Sequence, residues 1–494
     1  MENTDNSISL TLLGGVNEVG GNTVLLEDFT YHVKLFLDFG IKIGKFYDCY
    51  ERGEHPSSIE ELIELNLIPN EDNIPISNLY TREFKNTNNK TNLGDQNYPS
   101  NLDGILISHS HKDHYFGLSF VNRTIPICTG EVTKKIIIAS CKSAKFSLDN
   151  NFEGLNWQTF RTGDILYFKE MRIVPFHVDH SIPAAYGFIV YSSVGPIVYT
   201  GDFRMHGPLS HMTREFIDEI KNNKVCLSIG DLPQEQKNII LEGVKVLICE
   251  GTHIQKGMVE SEENVESDLT RIFESNPFDF ILVKYDRVDW DRFRTFSHIA
   301  KKYGWKYIIT EKDAYFYYLL NKGAVHETMM DPNILEDDHI YIMKRGGSRF
   351  PWQEKIRQII YKHQKGERLL EYQDLKRLEG KFIIYITRLH PNLTKNLNFS
   401  LNGLFISSSI DPYAEEFYDN TKKIGRELKE YGIPCYRVHA SGHATPHDLI
   451  NFINEVAPRY LVPIHTEHSK FFQKLFQNSE IKVILSKDNE PISF

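Results

Sequence analysis

Three histidines and an aspartate stand close together in the segment from Ser108 to His114, which reads S-H-S-H-K-D-H. The segment follows the apolar run Gly104–Ile107, which predicts a buried strand that ends at the cluster. Imidazole nitrogens and carboxylate oxygens bind zinc, and two-metal hydrolases hold their ions about 3.5–4 Å apart. The spacing therefore predicts ligands for two adjacent divalent metal ions; a histidine-rich surface turn, or buried histidines satisfied by hydrogen bonds, is the alternative.

Four further apolar runs are each followed closely by a side chain that can bind metal. These side chains are Asp38, His180, Asp202 and His465. Ligands at successive strand ends allow a rigid sheet edge to build a metal site. Taken singly, Asp38 or Asp202 would more often be a helix-cap or turn carboxylate. Together, and in this order, the four residues predict one site.

The composition is that of an ordinary globular protein. The chain has 494 residues, 41% hydrophobic and 25% charged, which suffices for two or three domains. Its formal net charge is −10, so an anionic substrate must be attracted by metal ions or by a local basic cleft. Six scattered cysteines without a C-x-x-C pair argue against a disulfide framework or a zinc ribbon. The polar start is unlike a signal peptide, and no apolar run is long enough to span a bilayer, so we expect a cytoplasmic protein.

Apolar periodicity predicts two structural regions. Short strands are predicted at residues 8–13, 23–26 and 33–37, and a run of strands between 165 and 199. After about residue 255, strands alternate with helices, which predicts a partly parallel α/β layer. The pattern is weaker over residues 41–101, where a short helix at 58–65 and an Asn-rich loop look like added material.

A glutamate and a further histidine extend the set of candidate residues. Glu250 ends another apolar run, although alone it would equally well be a turn carboxylate. Between His443 and His465, Thr445 is predicted as a helix N-cap, followed by a proline at the first helical position. One helix between two strand ends would bring His443 and His465 to the same sheet edge.

The order of these motifs resembles the metallo-β-lactamase superfamily, whose αββα fold stacks two sheets between outer helices. Within it, the segments D-H-S-I-P, H-A-S-G-H-A and P-I-H-T-E, which start at residues 179, 439 and 463, are similar to the ribonuclease J family of the β-CASP group. The resemblance implies a metallo-β-lactamase domain formed by residues 1–254 and 431–494, with a β-CASP-like α/β domain inserted at 255–430. Because 29 residues follow His465, we expect that family's C-terminal domain to be missing.

The resemblance implies a role for each candidate residue. The metal ligands would be His109, His111 and His180 for one ion, Asp113, His114 and His465 for the other, and Asp202 as a bridge. Among the catalytic residues, Asp38 would orient a ligand through a hydrogen bond rather than bind metal. His443, oriented by Glu250, would be the general acid. Two divalent ions are expected as cofactor, zinc or else manganese.

The implied reaction is metal-assisted hydrolysis of a phosphodiester, with RNA favoured over single-stranded DNA and with exonuclease and endonuclease action both open. His439 and Ser441 would contact the phosphate, with a structural turn as an equal alternative. Arg204 and His206 would face the substrate, unless Arg204 pairs with a nearby carboxylate. The other hypotheses are a hydrolase of a small ester, lactone, thioester or cyclic nucleotide, and a non-catalytic binding subunit. No membrane partner is expected, and the oligomeric state stays open, with a homodimer among the alternatives.

Three segments bear on how the substrate is bound. Where the family carries Ser-x-Asn-x-x-Arg, this chain agrees clearly only in the final Arg292, and the family's glycine-rich loop is replaced by I-T-R-L-H-P-N at 386–392. Processive 5′ exonuclease activity is therefore left open. A stretch from Lys344 to Lys381 interleaves aromatic residues with cations, among them Arg345, Arg349, Lys355, Arg357 and Arg368. It could track a nucleic-acid backbone, but its acidic residues favour an ordinary solvated helical hairpin.

Overall fold

The computed structural model describes residues 7–50, 54–81, 98–144, 147–228, 232–256, 260–275, 277–321, 333–344, 346, 350–363, 365–409 and 415–494. The chain divides into two compact units. The first unit comprises Met1–Lys134, Phe146–Met258 and Gly442–Phe494, and the second unit comprises Lys135–Lys145 and Val259–Ser441. The domain limits that we inferred from the sequence stay predictions.

Three sheets of seven strands each make up the β-structure of the described residues. In chain order the strands are β1 (Ile8–Gly14), β2 (Thr23–Asp28), β3 (Val33–Leu37), β4 (Gly104–Ile107), β5 (Pro126–Gly130), β6 (Asn156–Phe160), β7 (Leu166–Phe168), β8 (Met171–Val178), β9 (Ala185–Ser192), β10 (Gly195–Tyr199), β11 (Val246–Glu250), β12 (Phe280–Lys284), β13 (Lys306–Thr310), β14 (Ile340–Met343), β15 (Leu369–Leu370), β16 (Phe382–Tyr385), β17 (Gly403–Ser407), β18 (Cys435–Arg437), β19 (Tyr460–Ile464), β20 (Lys482–Val483) and β21 (Pro491–Ser493).

The α-helices alternate with these strands mainly in the second half of the chain. In chain order they are α1 (Ile43–Cys49), α2 (Ile59–Glu64), α3 (Lys112–Tyr115), α4 (Glu131–Lys142), α5 (Ser210–Asn222), α6 (Lys224–Leu227), α7 (Gln234–Leu241), α8 (Glu262–Ser275), α9 (Trp290–Tyr303), α10 (Glu311–Asn321), α11 (Pro351–Lys362), α12 (Pro391–Asn396), α13 (Glu415–Glu430), α14 (Pro446–Val456) and α15 (Ser469–Phe476). Within the described ranges, none is long and apolar enough to cross a bilayer.

Two sheets form the first unit. The first sheet has the order β21-β1-β2-β3-β4-β5-β6, and the second has the order β20-β19-β11-β10-β9-β8-β7. Strands β3 to β6 are mutually parallel, and so are β10, β11, β19 and β20. Parallel neighbours end at the same edge of a sheet, so each sheet gathers several strand ends at one edge.

Alternating side chains of the second sheet fill two separate cores. On β9, Phe188 and Val190 pack with residues of the first sheet, including Leu10 and Leu106. The intervening Ile189 points to the opposite face, where it joins a core with helical residues of α5, α14 and α15. This period of two is what a strand that is buried on both faces requires. The predicted α/β fold class is confirmed.

The second unit is built around the third sheet, whose order is β15-β14-β13-β16-β12-β17-β18. All of its strand pairs are parallel. Its central strands are continuous apolar runs such as Phe280–Lys284 and Phe382–Tyr385, because parallel strands covered by helices are buried on both faces. The alternation of strands and helices predicted this parallel layer. The third sheet also includes β18. This strand lies after residue 431, where the sequence analysis expected the metallo-β-lactamase domain to resume.

The sequence-based interpretation of the stretch from Lys344 to Lys381 as a helical hairpin is wrong. Among its described residues, α11 is followed by 3₁₀ turns and the short strand β15 rather than by a second α-helix. Two of its arginines have structural partners: Arg357 donates from Nε and Nη2 to Glu311, and buried Arg368 donates to four backbone carbonyls. Arg345 and Arg349 lie outside the described residues.

The described part of residues 41–101 contains the two short helices α1 and α2. The predicted helix at 58–65 is present as α2, whose N-cap Ser58 accepts a hydrogen bond from the backbone N–H of Glu61. Helix α1 was not predicted, because seven residues with little apolar periodicity give a weak signal. The Asn-rich loop lies outside the described residues.

Helix α14 yields a stability prediction because the predicted cap is present. Thr445 Oγ1 accepts a hydrogen bond from the Asp448 backbone N–H at 3.1 Å, and Pro446 is the first helical residue. We expect Thr445→Ala to lower the free energy of unfolding by about 1 kcal/mol, because one orphan N–H of the helix loses its partner. Urea unfolding of the purified protein measures this, and Thr445→Ser, which keeps the hydroxyl, is the control. Equal stability of the alanine variant and the wild type would contradict the assignment.

Candidate metal centre

Candidate ligands converge from the strand ends of both sheets of the first unit. They follow β3, β4, β8, β10 and β19, while Glu250 is the last residue of β11. Two of them, Asp38 and His465, have positive φ angles of 58° and 55°. This left-handed backbone is uncommon outside glycine, and it turns the chain sharply where the strand stops.

One group of side chains comprises His109, His111, His180 and Asp202. Nδ1 of His111 lies 3.0 Å from Nε2 of His109 and 3.0 Å from Nε2 of His180. Oδ2 of Asp202 lies 3.6 Å from Nε2 of His109 and 4.0 Å from Nε2 of His180. A tetrahedral zinc ion bonded at about 2.0–2.1 Å would separate its ligands by about 3.3 Å. The four side chains therefore fit a divalent cation.

A second group comprises Asp113, His114 and His465. Oδ2 of Asp113 lies 3.1 Å from Nε2 of His465 and 3.7 Å from Nε2 of His114. Oδ2 of Asp202 is again close, at 3.1 Å from Nε2 of His114 and 3.6 Å from Nε2 of His465. These spacings also suit a cation with nitrogen and oxygen ligands.

A single oxygen joins the two groups. Oδ2 of Asp202 lies within 4.0 Å of imidazole nitrogens from both groups. The structure thus brings together all seven side chains that the sequence analysis selected as ligands. That they bind metal, and how many ions, stays a prediction.

Asp38 holds one of these imidazoles in place. Its carboxylate is fully buried, and Oδ2 accepts a hydrogen bond from Nδ1 of His114 at 2.7 Å. The same oxygen accepts from the hydroxyls of Ser108 and Tyr199, each at 2.7 Å, while Oδ1 accepts from the Ser108 backbone N–H. Because Nδ1 of His114 is held here, Nε2 is directed toward Asp202 and Asp113. This is the arrangement that the sequence analysis expected of Asp38.

The sequence analysis missed three residues around the cluster. Tyr199 and Ser108 bind Asp38, and Nδ2 of Asn22 lies 2.9 Å from Nε2 of His114. Tyr199 ends a buried strand, where an aromatic residue is ordinarily part of the core. Asn22 precedes β2, at the end of the glycine-rich turn. The sequence signal that could have identified these three residues is their position at or beside the end of a predicted strand.

Burial and charge set the protonation of the first group. Burial and the neighbouring His114 hold the pKa of His109 well below its usual range, and burial with the charge of His111 does the same for His180. Burial alone would raise the pKa of Asp202, but the surrounding imidazoles, His114 first, hold it well below the usual range. Neutral imidazoles and an ionised carboxylate are the forms that bind metal.

The second group needs positive charge beside its carboxylates. Despite burial, the charges of His114 and His465 lower the pKa of Asp113 to about 2. In return, Asp202 and Asp113 outweigh burial and raise the pKa of both imidazoles. Protons on the imidazoles, or a divalent cation, can supply the charge that these buried carboxylates require.

Glu250 and His443 lie next to the cluster. Nδ1 of His443 lies 3.3 Å from Oε1 of Glu250 and 4.0 Å from Oδ2 of Asp202. Both side chains are buried. Asp202, His443 and His465 also form a third set whose ligand atoms lie close enough to hold an ion. The expected contact between Glu250 and His443 is present, whereas the catalytic role of each stays a prediction.

The structure disagrees with the substrate-binding role predicted for Arg204. Its side chain is fully buried, and Nε donates to Oδ1 of Asp179 at 3.2 Å. A Cβ added to Gly207 would come within 2.4 Å of both members of this pair, so the backbone there packs directly on it. Arg204 therefore supports the turn that carries His180. Pairing with a nearby carboxylate was the alternative given in the sequence analysis.

The remaining candidates are His439, Ser441, Arg292 and His206. His439 and Ser441 belong to the second unit, and their predicted phosphate contacts stay predictions. Arg292 is fully buried in the same unit, where both of its Nη atoms donate to Glu262 and one of them donates to the Ala440 carbonyl. His206 is half-buried in the turn after β10.

Two known families match parts of this chain. Residues 84–226 match a beta-lactamase superfamily domain, and residues 428–486 match a Zn-dependent metallo-hydrolase RNA specificity domain. A solved structure described as a protein of unknown function from Enterococcus faecalis V583 superposes with a TM-score of 0.69 at 20% identity, covering 99% of this chain and 100% of the other. At that identity the likeness supports the fold.

Curated relatives carry the name ribonuclease J. Ribonuclease J2 of Bacillus subtilis is 22% identical over 97% of this chain and 73% of its own length. Ribonuclease J of Sinorhizobium meliloti is 22% identical over 74% of this chain, and that of Thermus thermophilus is 23% identical over 73%. This chain spans 58% and 57% of the length of those two relatives.

The fold and the family matches show that the chain is similar to metallo-β-lactamase-type proteins, a class of metal-dependent hydrolases. Among these proteins, it resembles the β-CASP group and its ribonuclease J-like members. The family resemblance inferred from the sequence is confirmed.

The contacts of Asp38 predict its effect on metal binding. We expect Asp38→Asn to weaken zinc binding about 10–100-fold, because the amide NH₂ cannot accept a hydrogen bond and one side of the contacts that Asp38 makes with Ser108, Tyr199 and His114 is lost. Competition with a chromogenic zinc chelator measures the affinity. Asp164→Asn, in an exposed turn where the carboxylate accepts from the Arg161 backbone N–H, is the matched control. Zinc affinity unchanged in Asp38→Asn would show that His114 needs no such support.

Proposed function

We propose that this protein is a metal-dependent nuclease that hydrolyses phosphodiester bonds of RNA. The observation that carries the proposal is the shared oxygen Oδ2 of Asp202, which lies 3.1–4.0 Å from imidazole nitrogens of two ligand groups. Two-metal sites built in this way serve hydrolysis of phosphate esters. The match of residues 428–486 to an RNA specificity domain and the ribonuclease names of the relatives support RNA as the polymer.

Two zinc ions are the proposed cofactor. His109, His111 and His180 would hold one ion, Asp113, His114 and His465 the other, and Asp202 both. The ions would supply Lewis acidity toward the phosphate oxygens and an activated nucleophile at neutral pH. Imidazole and carboxylate ligands suit zinc, and manganese remains the comparison metal for the assay.

His443 is the proposed general acid. Its Nδ1 lies 3.3 Å from Oε1 of Glu250, a carboxylate oxygen that can accept from the ring and orient it. Nε2 is then the atom that would donate a proton to the leaving oxygen of the cleaved strand. General acid catalysis of this kind contributes typically about 10²–10⁴-fold.

His439 and Ser441 are the proposed phosphate contacts. They stand four and two residues before His443, respectively, in the segment H-A-S-G-H-A. Imidazole and hydroxyl groups both donate hydrogen bonds to phosphate oxygens. Inside the second unit, Arg292 binds the carbonyl of Ala440 between them, so the backbone of this segment is anchored to a buried arginine.

We also propose that the protein works in the cytoplasm. All six cysteines are free thiols, which suits a reducing compartment.

Substitution of His443 tests the mechanism. We expect His443→Ala to lower kcat on RNA about 10²–10⁴-fold while KM stays within a few-fold, because a group that acts on the leaving oxygen contributes mainly in the transition state. Initial rates on 5′- and 3′-labelled RNA measure both constants. His447→Ala, an exposed imidazole on α14, is the control and should cleave at the wild-type rate. A His443→Ala variant with unchanged kcat would remove His443 from the reaction.

The substrate class is tested with the wild-type protein. We expect zinc-loaded protein to cleave RNA faster than single-stranded DNA or a chromogenic phosphodiester, and chelation of the metal to abolish cleavage. Labelled strands with triphosphate, monophosphate and hydroxyl 5′ ends separate exonuclease from endonuclease products. Cleavage of the small ester but not of RNA would favour a small-molecule hydrolase instead.

A further inference from the structure

Thr252 stands between two histidines of the site. Its Oγ1 lies 2.8 Å from Nδ1 of His465 and 3.1 Å from Nδ1 of His443. The same oxygen lies 3.3 Å from the backbone carbonyl of His465. Thus one hydroxyl contacts both a candidate metal ligand and the candidate general acid.

The hydrogen-bonding capacity of a hydroxyl matches these three neighbours. A threonine Oγ1 has one proton to donate and two lone pairs to accept with. It can accept from the Nδ1–H of His465, share the single Nδ1–H of His443 with Oε1 of Glu250, which lies 3.3 Å from that nitrogen, and donate to the His465 carbonyl. Each ring is then protonated at Nδ1. Nε2 of His465, which faces Asp113 at 3.1 Å, is left in the form that binds metal.

The turn after β11 brings this hydroxyl to its place. The Thr252 backbone N–H donates to Oε2 of Glu250 at 3.0 Å, which closes the turn. A Cβ added to Gly251 would come within 2.6 Å of the Phe472 ring and 3.2 Å of Thr466. Glycine thus lets the turn approach α15 closely, and this approach sets the position of Thr252.

We propose that Thr252 is a positioning residue that fixes the orientation and tautomer of His443 and His465 with a single hydroxyl. It thereby couples the proton donor of the reaction to a metal ligand. The part of the proposal that concerns His443 and catalysis rests on the proposed function. The part that concerns metal binding rests only on the contact with His465. An experiment can therefore contradict one part without the other.

Replacement of the hydroxyl by a methyl group tests both halves. Thr252→Val keeps the branched shape of the side chain. We expect zinc affinity to fall about 10–100-fold, because partners behind a metal-binding histidine typically contribute that much. With saturating zinc, kcat on RNA should still fall about tenfold or more, because His443 loses its orientation. Thr252→Ser, which restores the hydroxyl, should recover most of both losses.

A double variant separates the two effects. In a His443→Ala background, Thr252→Val should lower kcat little further at saturating zinc, because the group that it positions is gone. The loss of zinc affinity should persist there, since it acts through His465. Thr133→Val removes the hydroxyl of a different threonine, which is fully buried and donates to the Ala184 carbonyl at 2.7 Å, and should leave zinc affinity unchanged.

Two outcomes would decide against the proposal, and a third would decide against the proposed function alone. Wild-type zinc affinity and kcat in Thr252→Val would overturn it entirely. Equal losses in Thr252→Val and Thr252→Ser would show that shape rather than the hydroxyl matters. A protein that binds zinc with the predicted dependence on Thr252 but cleaves no RNA would instead refute the proposed function and leave the contact with His465 standing.

Discussion

Negative charge buried at one point is the constraint on which the rest of this structure depends. Asp38, Asp113 and Asp202 are all nearly inaccessible to water and lie within one cluster. An ionised carboxylate costs several kcal/mol to bury unless hydrogen bonds or positive charge compensate it. Asp38 is compensated by a ring of donors, whereas Asp113 and Asp202 are surrounded by imidazoles. The arrangement of strands, turns and tautomers follows from the need to satisfy these three groups.

The two sheets meet this need through their strand ends. Parallel neighbours such as β3 and β4, or β10, β11 and β19, stop at a common edge, so each contributes a polar residue to the same place. The positive φ angles of Asp38 and His465 turn the chain sharply as it leaves the strand. Rigid apolar strands thereby position polar side chains that short loops alone would hold less firmly.

Much of the cluster could be predicted because its members share a readable pattern. A histidine or an aspartate after an apolar run marks His109, Asp202 and His465 alike. Thr252 and Tyr199 have no such mark: each is of an ordinary type at its position, and its importance depends on partners distant in the sequence. Arg204 was open to two interpretations because a sequence does not show which carboxylate lies beside an arginine in space. The helical hairpin was wrong because it was inferred from charge content, which does not distinguish a second α-helix from the 3₁₀ turns and short strand β15 that follow α11.

The discontinuous order of the strands has a consequence for biosynthesis. Strand β19, which is followed directly by His465, inserts beside β11, although about 200 residues are translated between them. At roughly 5–20 residues per second, a ribosome needs some tens of seconds to supply that missing neighbour. During this interval the nascent chain carries Asp113 and Asp202 without one of their imidazoles, and β11 presents an open edge. Chaperones would have to protect that edge until synthesis reaches the final strands.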